Sequence, residues 1–151
     1  RRPYLWRFWN KLNDGGKITI FDRTWYGRVL VERIEGFASV VEWQRAYHEI
    51  NRFEENLVDS QTVIVKIWLA ISKDEQEIRF KDREQTPHKR FKITEEDWRN
   101  RDKWDDYLNA AADMFERTHT DYAPWYVIST DDKNTARIEV LKAILKQLKA
   151  G

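Results

Sequence analysis

A chain of 151 residues, 41% apolar and 35% charged, is long enough for one folded domain and too apolar to be disordered throughout. Its net charge of +1 gives no global field for nucleic acid or an acidic membrane surface, so any anion site must be local. With no cysteine, disulfides, thiolate zinc sites and cysteine nucleophiles are excluded, which fits a reducing, cytoplasmic setting.

Tyr4 to Leu12 is aromatic-rich and reads as the end of a helix, stopped by Asn13-Asp14-Gly15-Gly16. Ile18 to Phe21 reads as a short buried strand. Ser39-Val40-Val41-Glu42 has the form of a capping box, and Trp43, Ala46, Tyr47, Ile50, Phe53 and Leu57 follow at helical spacing. Glu54-Glu55 on that helix is expected to face solvent. Val63 to Leu69 is nearly continuously apolar and β-branched, as in a central parallel strand covered on both faces. Ser72 to Glu75 reads as a second capping box, opening a helix through Phe80 and Lys81. A polar, basic stretch broken by Pro87 comes next. Thr94 with Asp97 opens a further helix, carried by Trp104, Tyr107, Leu108, Ala111 and Phe115. Trp125 to Ser129 predicts a third strand, and Ile138, Leu141, Leu145 and Leu148 form the apolar stripe of a last helix. Strand and helix alternate, which predicts an α/β layer fold on a small parallel sheet. No apolar run approaches the roughly 20 residues of a membrane helix.

Three constellations can carry chemistry. In the first, Asp22 ends a short apolar run and Arg23 follows at once. At the carboxyl edge of a sheet such a carboxylate can hold Mg²⁺, which shares its remaining positions with phosphate oxygens. The arginine offers a planar fork of donors to phosphate. A solvated turn explains the same two residues. Arg28, Glu32 and Arg33 lie close behind; Arg28 and Glu32 are four apart and form either an ordinary ion pair or part of a phosphate-binding set. In the second, Lys81, Arg83, His88, Lys89, Arg90 and Lys92 form a basic run between two helices. Charge runs are commonly a solvated face. A basic lid, with Phe91 and Ile93 to dock on closure, would instead suit a polyanionic substrate. In the third, Trp25-Tyr26 either packs or stacks on a base. Other motifs fail: Gly15-Gly16-Lys17 lacks the spacing of a phosphate loop, His48, His88 and His119 are too scattered for zinc, and no Gly-x-Ser-x-Gly elbow exists.

Ile20 to Arg33 (Ile-Phe-Asp-Arg-Thr-Trp-Tyr-Gly-Arg-Val-Leu-Val-Glu-Arg) closely resembles the Walker B region of family-2 polyphosphate kinases. The likeness continues through Glu35 to Ala38, Phe53-Glu54, Trp68-Leu69, Ser72 to Gln76, Arg79 to Arg83, Pro87 to Lys92, Trp98 to Arg101, Trp104 to Tyr107, Ala123 to Trp125 and Asp131 to Lys133. Gly27, followed by Arg-Val-Leu-Val-Glu-Arg, is most similar to the polyphosphate:AMP phosphotransferases; the ADP-phosphorylating type more often has asparagine there. The resemblance implies a P-loop kinase-like three-layer α/β/α fold with a parallel sheet and a helical lid, about 82–100. It implies Mg²⁺-dependent phosphoryl transfer between inorganic polyphosphate and a nucleotide, AMP to ADP, in a cytoplasmic homo-oligomer that binds neither nucleic acid nor membrane. Asp22 matches the Walker B aspartate, a metal ligand, and Arg23 the arginine at the phosphates. Arg28 and Glu32 match positions near the nucleotide end; Arg83, Lys89, Arg90 and Lys92 match the lid. Phe91 stands where the family often has tryptophan. The family's Gly-x-x-x-x-Gly-Lys loop does not occur in these residues, so they are expected to form the carboxyl-terminal part of a catalytic domain, poorly active alone. An ATP-dependent nucleotide kinase on the same fold and a non-catalytic assembly or regulatory domain are the competing readings.

Overall fold

Residues 2–13 and 15–151 are described by a computed structural model; Arg1 and Asp14, the latter part of the predicted stop at 13–16, lie outside the described residues. The chain divides into two units. One holds the residues up to Ile64 together with Asp105–Ala123, the other Val65–Trp104 together with Pro124–Gly151.

In the first unit, helix α1 (Trp6–Trp9) is a single turn, shorter than the predicted segment, and α2 (Val31–Ile34) is equally short. Helix α3 (Val40–Asp59) opens on the predicted capping box. Ser39 Oγ accepts from the Glu42 N–H, and the Glu42 carboxylate accepts from the Ser39 N–H at 2.9 Å. Behind the cap, Ala46, Tyr47, Ile50, Phe53 and Leu57 are buried, as their spacing requires. Ser39→Ala should lower stability by about 1 kcal/mol, a melting shift of roughly 2–4 °C on a domain of this size. Thermal denaturation checks it; an unchanged midpoint would mean the cap contributes nothing. Ala110, Ala111 and Met114 of α6 (Trp104–Thr118) add to this core. Asn51 Nδ2 donates to the Arg117 carbonyl at 2.8 Å, and the Arg117 guanidinium lies 4.9 Å from the Tyr47 ring centre.

The predicted strand Ile18–Phe21 is not a strand. Its residues alternate, with Ile18 and Ile20 each 87% exposed while Thr19 and Phe21 turn inward. Strand structure is completed by a ladder partner, and none of the described residues pairs with this segment. Phe21 is held by aromatic packing instead. Its ring meets Phe8 at 6.0 Å and Trp25 at 5.4 Å, both edge to face, an arrangement favoured by the ring quadrupoles.

In the second unit, β1 (Lys66–Ala70) pairs in parallel with β2 (Trp125–Ser129), Lys66 opposite Trp125 and Ala70 opposite Ser129. The parallel sheet is as predicted, but among the described residues it has two strands rather than three. Leu69 and Val127 are 58% and 59% exposed, so the strands are not covered on both faces. Helix α4 (Lys73–Gln85) begins at Ser72, whose Oγ accepts from the Glu75 N–H at 3.2 Å. The box is not reciprocal. The Glu75 carboxylate takes Arg79 Nε at 2.8 Å, and the Ser72 N–H donates to Asp131 Oδ1 at 3.0 Å. That hydrogen bond, from a group otherwise left open at a helix start, holds the Asp131 carboxyl below the usual range.

The single helix predicted from Thr94 onward is two. Helix α5 (Glu95–Asp102) has a complete capping box between Thr94 and Asp97, stops at Lys103, and α6 starts at Trp104. In α7 (Lys133–Ala150) the apolar stripe does not form the packed face. Ile138, Leu141, Leu145 and Leu148 are 52–61% exposed, whereas Ala136 and Ala143 are buried and pack, with the half-buried Val140, against Ile67, Tyr126 and Ile128. Small side chains let the helix backbone approach the sheet closely. Among the described residues no helix is long and apolar enough to cross a membrane.

Candidate functional site

Asp22 and Arg23 are both exposed, and Arg23 sits at φ +64°, the left-handed region that an arginine seldom adopts. The chain then returns to extended backbone at Thr24 and enters a 3-10 turn, Trp25–Val29. Thr24 Oγ1 accepts from the Tyr26 N–H at 3.2 Å, and the Gly27 N–H donates to the Thr24 carbonyl at 3.1 Å. Trp25 and Tyr26 are therefore swung inward and are 6% and 3% exposed. They pack; neither offers a free face for a base.

Both end on one carboxylate. Trp25 Nε1 donates to Glu54 Oε1 at 2.9 Å, and the Tyr26 hydroxyl donates to the same oxygen at 2.6 Å. Glu54 is fully buried, which corrects the expectation that it faces solvent. The physical reason is phase. Position 54 lies four after Ile50 and three before Leu57, on the buried face of α3, and two donors meet the carboxylate there. The spacing carried that signal; residue type alone concealed it. Burial, then the adjacent Glu54 charge, push the Tyr26 hydroxyl far above its ordinary pKa, so it stays a donor.

Arg28 and Glu32 form the i,i+4 pair at 2.7 Å, with side chains 14% and 19% exposed. The Arg28 guanidinium also lies 4.0 Å from the Tyr4 ring centre. The Tyr4 hydroxyl donates to the Trp25 carbonyl at 3.1 Å, and burial, with Glu32 next, pushes its pKa up to about 12. Arg33 is committed elsewhere. It binds Asp113 at 2.7 Å and the Tyr47 hydroxyl at 3.1 Å, and covers Trp43 at 4.2 Å. Gly27 is not forced by its surroundings, since an added Cβ would meet only the Tyr4 hydroxyl at 3.7 Å and Val31 at 3.8 Å, ordinary contacts.

In the second unit the basic run forms a 3-10 turn, Pro87–Lys92, between α4 and α5. Arg90 and Lys92 are exposed, Arg83 and Lys89 half-buried. Lys89 Nζ pairs with Asp82 at 3.0 Å, and Arg90 Nε donates to the Glu84 carbonyl at 2.7 Å. Phe91 is 78% exposed. The flanks are fastened: Arg101 binds the Lys73 carbonyl at 2.7 Å and Glu77 at 2.5 Å, and Trp98 Nε1 donates to Glu84 at 3.0 Å. Cations are thus presented on a short turn whose two helices are tied to each other.

Among the described residues no three carboxylates or histidines come together as a metal cage. One exposed carboxylate at Asp22 matches an ion that takes one or two protein ligands and completes its shell with phosphates and water.

The fold superposes on crystal structures of polyphosphate kinase 2. That from Pseudomonas aeruginosa PA01 gives a TM-score of 0.96 at 57% identity, covering 99% of this chain and 32% of that one. That from Arthrobacter aurescens TC1 gives 0.94 at 40% identity, covering 99% and 53%. These likenesses place the parallel strands and their helices in the P-loop kinase-like α/β class. Residues 1–151 match polyphosphate kinase 2 (PPK2) throughout, and the chain belongs to that family. It is 79% identical over 150 residues to a polyphosphate:AMP phosphotransferase of Acinetobacter johnsonii, covering 99% of this chain and 31% of that protein. Against the ADP-polyphosphate phosphotransferase of Pseudomonas aeruginosa, identity is 37% over 145 residues, covering 96% and 48%. The chain spans about a third of the length of the polyphosphate:AMP phosphotransferases it matches.

Proposed function

We propose that this chain is part of the catalytic domain of a phosphotransferase that moves the terminal phosphoryl group between inorganic polyphosphate and a nucleotide, AMP to ADP. The observation that carries the reading is the 79% identity, over 99% of the chain, to a protein of that name. The exposed Asp22-Arg23 turn and the basic turn at Pro87–Lys92 supply part of the chemistry it needs, a carboxylate for a metal and cations for phosphates. Transfer of this kind needs positioning and charge neutralisation more than a nucleophilic side chain.

In this reading Asp22 is the carboxylate that holds Mg²⁺. When bound, the ion neutralises charge on the phosphate oxygens. Arg23 offers the planar fork of its guanidinium to the phosphate oxygens. Arg28 and Glu32, paired at 2.7 Å, serve the nucleotide end. Arg83, Lys89, Arg90 and Lys92 belong to a lid, about 82–100, that draws in the polyanion and excludes water. The 79% identity to an AMP-type relative, against 37% to an ADP-type one, supports AMP as the acceptor. A cytoplasmic homo-oligomer completes the proposal, the cytoplasm being where adenine nucleotides are held.

The test is transfer from polyphosphate to AMP by the intact protein with Mg²⁺, ADP being resolved by chromatography. ADP formation that stops on adding a chelator is the expected result. Transfer from ATP but not from polyphosphate would replace the proposal with an ordinary nucleotide kinase. Transfer from neither would remove the enzymatic reading.

A further inference from the structure

Glu54 is the one buried carboxylate in the first unit's described core that the proposed chemistry leaves without a task. A buried charge is costly unless strong donors meet it, and here two do, both on the same oxygen. Those donors, Trp25 and Tyr26, follow immediately on Thr24, and Thr24 follows Asp22-Arg23. The exposed pair therefore stands at the end of a very short tether with a buried anchor. Three further contacts stiffen the tether: Thr24 Oγ1 takes the Tyr26 N–H, Tyr4 caps the Trp25 carbonyl, and Phe53 meets the Trp25 ring at 5.0 Å. Arg23 is held in left-handed backbone, a conformation that the surrounding structure must impose on a residue with a side chain.

We propose that Glu54 is a positioning residue for the Asp22–Arg23 turn. Its buried carboxylate fixes Trp25 and Tyr26, and through them sets where the Asp22 carboxylate and the Arg23 guanidinium stand. Glu54 does not touch substrate. It acts by keeping the metal-binding and phosphate-binding groups in one arrangement before the substrate arrives, which is where precision of placement enters a phosphoryl transfer. The catalytic consequence rests on the phosphotransferase reading, whereas the anchoring itself does not.

The test uses the intact protein with Glu54→Gln and, separately, Tyr26→Phe. Glutamine keeps the shape and one acceptor oxygen but removes the charge. Phenylalanine removes the hydroxyl, with its bond to Glu54 and its contact with Thr118, and keeps the ring. Backbone amide exchange is followed by mass spectrometry, and kcat and KM are measured with polyphosphate and AMP. In Glu54→Gln, exchange over residues 20–27 should rise at least about tenfold while that of α7 stays unchanged, and kcat should fall at least about tenfold while both KM values move less than about threefold. Tyr26→Phe should show the same pattern more weakly, and it decides the matter if Glu54→Gln does not fold. Unchanged exchange over 20–27, or a rise spread evenly over the chain, would overturn the anchoring. Local loosening with kcat intact would overturn its role in turnover. A parent protein with no transfer would sink the phosphotransferase reading, and the exchange data would still decide the anchor.

Discussion

Asp22→Asn should lower kcat for transfer from polyphosphate to AMP by about a thousandfold or more, close to 4 kcal/mol of transition-state stabilisation. The intact protein should melt at nearly the same temperature. Asp22 is exposed, so removing its charge leaves no buried donor unpaired and little packing is lost. Asparagine keeps the size and one oxygen but not the negative charge that holds a hard divalent ion. The effect should fall on kcat with a weakened response to Mg²⁺, because the ion matters most where charge is moving. Mg²⁺ titrations of both proteins measure this. Undiminished turnover would show that the metal, or the reaction, lies elsewhere.

The second large effect concerns the basic turn. Lys89→Ala with Arg90→Ala should raise the polyphosphate KM about tenfold at low ionic strength, with the gap to the parent closing as salt is added. Exposed charges attract a polyanion through a screened field whose range is ~10 Å at 0.1 M salt. The KM for AMP should change little. Steady-state kinetics at several salt concentrations give the answer, and a KM gap indifferent to salt would argue against electrostatic capture. The structure adds a control. Lys89 is paired with Asp82, so Asp82→Asn should release a cation and lower the polyphosphate KM.

Local rules were enough where the answer was local. The Ser39 cap and the buried spacing of α3 are each set by residues a few positions apart. Ile18–Phe21 has the composition of a strand but, among the described residues, no paired neighbour, and pairing is a property of two segments. The stop at Lys103 splits a helical pattern that continues on both sides. In α7 the conspicuous leucines misled, because the packed face is made of Ala136, Val140 and Ala143, which a search for large apolar residues passes over. At the candidate site, the order of Asp22 and Arg23 singled out a turn that the structure shows to be exposed. The burial of Glu54 was not legible, because a charged residue on a helix is read as solvated unless its phase is checked against the buried positions.

Asn51 of α3 bonds the Arg117 carbonyl of α6, and Arg33 bonds Asp113, although these partners are 66 and 80 positions apart. The segment Val65–Trp104 lies between them in sequence and belongs to the other unit. On the ribosome, α3 is finished long before α6 has been made. At the usual pace of synthesis the delay from Asp59 to Thr118 is roughly 3–12 s. Throughout that interval Tyr47 and Asn51 lack the partners that α6 brings them, and that side of α3 stays open on the nascent chain.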